Sequence, residues 1–166
     1  MFRRIEDFAA QWPTEREATL RNLRNLTDES LATPVAPGGR TLGFLAWHLT
    51  VTFAELLGKA GLEPDGPEPS EAVPSRAADI VAAYEKASAS VLDQVTSRWS
   101  DDMLEDMLPM YGETWSRGMV LEALIRHEAH HRGQMTVLMR QAGVPVAGVY
   151  GPSREEWAQW GMEAHP

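Results

Sequence analysis

Cysteine is absent from this chain of 166 residues. Disulfides, thiolate zinc sites and a cysteine nucleophile are therefore excluded, and any metal must be held by nitrogen and oxygen ligands. No window holds the roughly 20 apolar residues that a membrane span needs. The opening Met1-Phe2-Arg3-Arg4-Ile5-Glu6-Asp7 acquires carboxylates before any apolar run, unlike a signal peptide. Positive charge is in the minority, with 15 Lys and Arg against 24 Asp and Glu and a formal net charge of −9. That balance repels a phosphate backbone and argues against a nucleic-acid partner. What remains is a cytoplasmic protein with no membrane or nucleic-acid role. With 43% hydrophobic residues it is one domain over 1–166 that can bury a core without staples.

Strand patterns are nearly absent and helical ones dominate. Ile5, Phe8, Trp12, Leu20, Leu23 and Leu26 recur at helical spacing, which predicts a helix over 2–28, kinked at Pro13 or divided there into two. Pro34, Pro37, Gly38 and Gly39 then form a loop. A second helix is expected over Leu42–Lys59, capped by Thr41 and apolar around much of its circumference, hence largely buried. The Pro-, Gly- and Glu-rich stretch from Gly61 to Pro74 reads as a long mobile connection. Ala77, Ile80, Val81, Tyr84, Ala87, Ser88, Val91, Leu92 and Val95 form the stripe of a third helix over 75–97. Residues 98–115 lack a helical period and suggest a short hairpin or an irregular excursion, with a turn over 109–112. A fourth helix runs from its Ser116 cap to about Ala142, where Gly143 and Pro145 stop it. Ser153-Arg154-Glu155-Glu156 is a capping box that opens a short terminal helix, whose Trp157 and Trp160 should pack back onto the rest. The fold expected is all-α: a four-helix bundle with long connections and a short C-terminal helix.

The chemistry concentrates in Ile125-Arg126-His127-Glu128-Ala129-His130-His131-Arg132-Gly133-Gln134, which holds three of the five histidines. His127 and His131 lie four apart, so a helix stacks them on one face, and two imidazoles at that spacing can grip one ion. They fall on the apolar stripe of Val120, Leu124 and Leu138, beside Met135, where leucines would be expected. Buried without partners, each imidazole would cost roughly 1–3 kcal/mol. A third ligand must come from elsewhere, and His48 is the best-buried candidate on another helix; taken alone, a core histidine donating to a backbone carbonyl explains it equally well. Three histidines with open positions make a site for catalysis rather than structure. His130 points about 100° away from His131 and belongs at a rim.

The same letters spell H-E-x-x-H, the metallopeptidase motif in which Glu128 would be the general base. The longer motif fails, because Gln134 stands where a glycine is required and no third histidine follows. Glu55 shares the face of His48, and Gln134 lies near the His131 stripe. Either can fix a histidine tautomer or touch substrate. Trp47, Trp115 and Tyr150 are candidate pocket walls.

The run His127 to Gln134 with Leu138 and Gly143, then Tyr150-Gly151-Pro152-Ser153 with Glu156-Trp157, resembles the DinB-like (DinB/YfiT) superfamily. His48, preceded by Gly43 and Leu45 in an aromatic second helix, fits as well. The similarity spans nearly the whole chain. The resemblance implies a four-helix bundle binding a divalent metal through three histidines, which by position are His48, His127 and His131. It implies a homodimer, and metal-dependent transfer or isomerisation using a low-molecular-weight thiol. The expected cofactor is zinc or nickel, with iron also suited, and the partner is a small-molecule substrate. A hydrolytic version would use Glu128, Glu55 or His130 as proton carrier. The competing class is a non-catalytic, stress-related bundle that binds a metal or a small molecule.

Overall fold

The computed structural model describes residues 1–164. Four helices, α1 (Ile5–Leu23), α2 (Leu42–Lys59), α3 (Ala77–Arg98) and α4 (Arg117–Gln141), pack as a bundle. α2 lies against α3 and α4, and α1 against the same two. A hairpin of β1 (Met107–Met110) and β2 (Glu113–Ser116) is inserted between α3 and α4. The all-α bundle expected from the helical periods is the observed architecture.

α1 runs unbroken through Pro13, which is exposed. The backbone bond that proline cannot make is therefore lost at the surface. The helix ends at Leu23, short of the expected residue 28, and Glu29–Ala32 form a single 3-10 turn. Neither α1 nor α3 has a local side-chain cap. Their free N–H groups are met from a distance: Asp101 accepts from Ile5 N at 2.7 Å, and Asp28 from Ala77 N at 2.7 Å. α2 and α4 are capped as expected, with the Thr41 hydroxyl accepting from Phe44 N and the Ser116 hydroxyl from Met119 N, both at 3.1 Å.

An aromatic chain fills the core. Phe8 stacks on Trp12, Trp12 meets Phe53 edge-on, and Phe53 tilts against Tyr84, with centroids 5.4–5.6 Å apart. Such pairs add about 0.5–1.5 kcal/mol each beyond the area they bury. Trp12 also donates its indole N–H to the Ser88 carbonyl at 2.8 Å. The long 61–76 connection is laid along α3 and α2. Glu63 N donates to Gln94, Asp65 N to Ser90, and the Trp47 indole to the Glu71 carbonyl.

Two expectations are corrected. The terminal element is one 3-10 turn, Trp157–Trp160, and Trp160 is 71% exposed instead of packing back. The capping box is half made: the Glu156 carboxylate accepts from Ser153 N, while the buried Ser153 hydroxyl has no partner among the described residues. Glu156 instead also accepts from Gly148 N, folding the 145–156 segment over α1. In the 98–115 stretch the hairpin alternative is the one adopted. Pro109 lies in β1 opposite Thr114, so the turn shrinks to Tyr111 and Gly112. Both have positive φ, +51° and +84°, as a tight two-residue hairpin turn requires.

Candidate metal centre

α2 and α4 face each other along the bundle, and their histidines meet between them. His48 comes from the middle of α2, and His127 and His131 from successive turns of α4. One ring nitrogen from each lies within 4.8 Å of the others. The Nε2 atoms of His48 and His127 are 3.0 Å apart. Two nitrogens on a tetrahedral ion, at about 2.0–2.1 Å each, lie about 3.3 Å apart. The spacing of His48 and His127 is close to that of ligands around one ion, with His131 within 4.8 Å of both. It is also that of one imidazole donating to another, so the protons must be counted.

Burial, then the neighbouring His131 and His48, lowers the His127 pKa to about 3. Burial first, and then His131 and Arg40, lowers that of His48; burial also lowers that of His131. At neutral pH all three rings are uncharged, with one proton and one lone pair each. The His131 proton is located by Gln134, whose Oε1 lies 2.7 Å from Nδ1 and can only accept. Nε2 of His131 therefore presents its lone pair. On His127, Nδ1 is buried without a partner among the described residues. Three neutral, converging imidazoles with unspent acceptor capacity are a donor set that fits a divalent cation. Behind His48, Phe44 stacks at 5.9 Å and Arg40 lies over Phe44 at 5.0 Å. The Thr52 hydroxyl donates to the His48 carbonyl at 2.7 Å.

The other sequence candidates fall in five different places. Glu55 lines a cleft of about 350 Å³ beside His48 and His127, with Thr52, Leu56, Tyr111, Trp115 and Ala123. His130 is exposed, its ring 4.8 Å from that of His131. Glu128 is completely buried and turned into the core, where Oε2 accepts from Thr19 at 2.8 Å and from Tyr84 at 2.7 Å. It is no part of the histidine cluster, so the metallopeptidase reading lacks its base. Trp47 and Tyr150 are not cleft walls. Trp47 packs under the 61–76 connection, and the Tyr150 hydroxyl bonds Glu15 and Arg132 on another side of α4. Of the three aromatic candidates, Trp115 alone faces the cleft.

The placement of the histidines on the core stripe also needs correction. The deepest polar positions of α4 are Glu128 and Arg132, one residue further round than the histidine pair, and His127 is only half-buried. Arg132, 2% exposed, pairs with buried Glu15 at 2.7 Å and donates to Thr19 at 3.1 Å. Sequence reasoning missed this network. A signal was available in α1, where Phe8, Trp12, Glu15, Thr19 and Asn22 keep a strict core spacing, so three polar residues occupy core positions. It missed Tyr111 as well, for which the sequence carried no signal.

Among the described residues, no helix is long and apolar enough to cross a membrane. YrdA of Bacillus subtilis (strain 168), an uncharacterized protein, is 39% identical over 164 residues, covering 99% of this chain and 98% of its own. The crystal structure of a DinB-like protein from Bacillus cereus ATCC 10987 superposes with a TM-score of 0.86 at 41% identity, over 90% of this chain and all of that one. A second DinB-like protein, YjoA of Bacillus subtilis, shares the fold, with a TM-score of 0.64 at 17% identity over 84% and 95% of the two chains. The DinB family model matches residues 1–162, so the histidine cluster and the helices that carry it all lie within the match, and the chain belongs to the DinB family.

Proposed function

We propose that this protein holds one divalent metal ion on His48, His127 and His131 and uses it in a metal-dependent transfer reaction on a small molecule. The observation that carries the reading is the convergence of three neutral imidazoles from two helices, two of which, His48 and His127, line an apolar cleft. Three protein ligands leave coordination positions free, the arrangement of catalytic rather than structural sites. Zinc or nickel suits three imidazoles, and iron also does. A bound ion supplies Lewis acidity, lowering the pKa of a thiol or water beside it.

The chain's own groups favour a thiol nucleophile over a hydrolytic one. Glu128 is bonded within the core, His130 is at the exposed rim, and Glu55 is engaged by Tyr111. Glu55 also stands nearly two turns along α2 from His48, so among the described residues neither carboxylate sits beside the histidines to activate water. A thiol of low molecular weight gives up its proton to solvent without such a base. Its sulfur then bonds to an electrophilic carbon, while the bond to the leaving group breaks and the leaving group takes the electron pair. His131, held by Gln134, and His48, backed by Phe44, keep the ligand lone pairs aimed throughout.

The partner is thus a small molecule rather than a nucleic acid or a membrane, and the protein acts as a homodimer in the cytoplasm. Light scattering tests the dimer. Elemental analysis of the purified protein tests the site: about one equivalent of metal is expected, falling to near zero in His48→Ala and His131→Ala. Full metal content in both variants overturns the assignment. Thiol consumption with a model alkylating electrophile, with and without metal, then tests the reaction. A loaded site without any metal-dependent rate would make the protein a binder instead of an enzyme.

A further inference from the structure

The cleft has two chemically distinct ends, and α2 sets the distance between them. His48 and Glu55 are seven residues apart, nearly two turns, so they share one face with Cα atoms about 10 Å apart along the axis. Between them the walls are Leu56, Ala123 and the aromatic rings of Tyr111 and Trp115, whose centroids lie 5.8 Å apart.

The hairpin turn delivers Tyr111 at some expense. A bulky residue in the left-handed region costs about 1–2 kcal/mol relative to a relaxed backbone, and asparagine or glycine would make the same turn with less strain. What the tyrosine adds is a phenol that crosses to α2 and donates to Glu55 Oε1 at 3.1 Å. Strain of this kind persists where surrounding contacts over-determine it, often at ligand clamps.

The polar groups of the walls are spent in one sense only. Thr52 donates to the His48 carbonyl, the Trp115 indole to Glu113, and Tyr111 to Glu55. Among the described residues, no hydroxyl or indole donor of the wall is left for a ligand. Glu55 keeps accepting capacity, since a carboxylate offers about four lone-pair sites and one is used here. Two cations work against it from outside: Lys59, 5.3 Å over the Tyr111 ring, and Arg40 behind His48.

We propose that the cleft selects a two-ended molecule, with a metal-binding group at the histidines, a flat apolar body against Trp115 and Leu56, and a protonated amine at Glu55. Tyr111 is then a positioning residue that holds the carboxylate toward the cleft. The inference rests on the metal reading above and specifies what the site takes.

Hydroxamates separate the two. Cobalt(II) is loaded into the full chain, and its visible absorption is titrated with benzohydroxamate, 4-(aminomethyl)benzohydroxamate and 4-carboxybenzohydroxamate. The amine probe is expected to bind about tenfold more tightly than the parent, the yield of one charge-assisted hydrogen bond, and the carboxylate probe more weakly. Glu55→Gln should erase the ranking, and Tyr111→Phe should shrink it several-fold. Circular dichroism confirms that both variants are folded. Equal affinity for the three probes on a cobalt-loaded protein overturns this inference and leaves the metal site standing. Preference for the carboxylate probe overturns it in favour of Arg40. Failure to bind cobalt at all removes the metal reading and this one with it.

Discussion

Two polar pairs on α4 have the same spacing and opposite states. His127 and His131 face α2; Glu128 and Arg132, one residue further along each time and so about 100° further round, face α1 and α3. On the second side the polar groups are bonded to one another, with Glu128 Oε1 alone among them buried without a partner among the described residues. Arg132 pairs with Glu15 and donates to Thr19, Thr19 and Tyr84 donate to Glu128, and Tyr150 donates to Glu15. On the first side the Nε2 atoms of His48 and His127 meet across 3.0 Å, where one ring can donate to the other, and Nδ1 of His127 is buried without a partner among the described residues. The difference separates the two uses of a buried polar residue: a network bonded across three helices holds them together, and imidazoles converging from two helices invite a cation.

Breaking the closed side should give the largest effect. Arg132→Met leaves Glu15 buried without its counter-ion, which costs about 3–5 kcal/mol when one partner of a buried pair is removed. For a chain of this size the melting temperature would fall by on the order of 10 °C. Metal content per folded molecule should stay near one equivalent. In contrast, His48→Ala should empty the site while shifting the stability of the metal-free protein by less than about 1 kcal/mol. Urea denaturation of the metal-free proteins checks both, and similar losses in the two variants would abolish the distinction.

Acidity separates the two sides by sign. Burial raises the Glu128 pKa from 4.5 to about 7, partly offset by its bonds from Tyr84 and Thr19. Its contribution is therefore complete below pH 4.5 and is lost as pH rises through 7, a change on the order of a few kcal/mol. His127 runs the other way. With its pKa lowered from 6.5 to about 3, its contribution is complete above pH 6.5 and is lost as pH falls toward 3. Denaturation of metal-free protein between pH 4 and 8 should show both slopes. Glu128→Gln should flatten the rise-side loss only, and His127→Ala the acid-side loss only. If Glu128→Gln leaves the profile unchanged, the carboxyl is ionised throughout and the closed network is wrongly described.

Gln134 sharpens the comparison within the open side. Its Oε1 takes the His131 Nδ1 proton and so aims Nε2 into the cluster. Outer partners of this kind typically change metal affinity by 10- to 100-fold. Competition with a chromogenic chelator should show Gln134→Ala within that range, and Gln134→Glu close to wild type. Unchanged affinity in the alanine variant would make the contact incidental.

How much of this was legible in the sequence follows from the same contrast. The α2 boundaries, the Thr41 and Ser116 caps and the histidine spacing are local properties, carried by residues within four positions of each other. The His127–His131 pair was therefore identifiable before the helices were assembled, whereas His48 was named only as the best-buried histidine on another helix and through the family resemblance. The closed network was not, because Glu128 and Arg132 derive their role from Glu15, Thr19 and Tyr84 on other helices. One residue of rotation on α4 decided which pair lay deeper, and its buried arc is broad enough to hold both. The distant caps, Asp28 on α3 and Asp101 on α1, were hidden for the same reason. Trp160 failed differently: a capping signal marks where a turn starts, not whether every residue in it has a surface to cover.

Tyr111 should show the smallest effect, and it tests whether the open side stores strain that the closed side lacks. Among the described residues it is the sole non-glycine with positive φ. Burial and the neighbouring Glu55 raise its phenol pKa to about 12, so it remains a donor at any ordinary pH. Tyr111→Phe keeps the backbone strain and loses the hydrogen bond, a loss of about 0.5–1.5 kcal/mol. Tyr111→Asn loses the same bond and relieves about 1 kcal/mol of left-handed strain. The asparagine variant should therefore be more stable than the phenylalanine variant by roughly 1 kcal/mol and close to wild type, as read from paired urea curves. A phenylalanine variant as stable as the asparagine one would mean that ring packing, not the bond to Glu55, holds the turn in place.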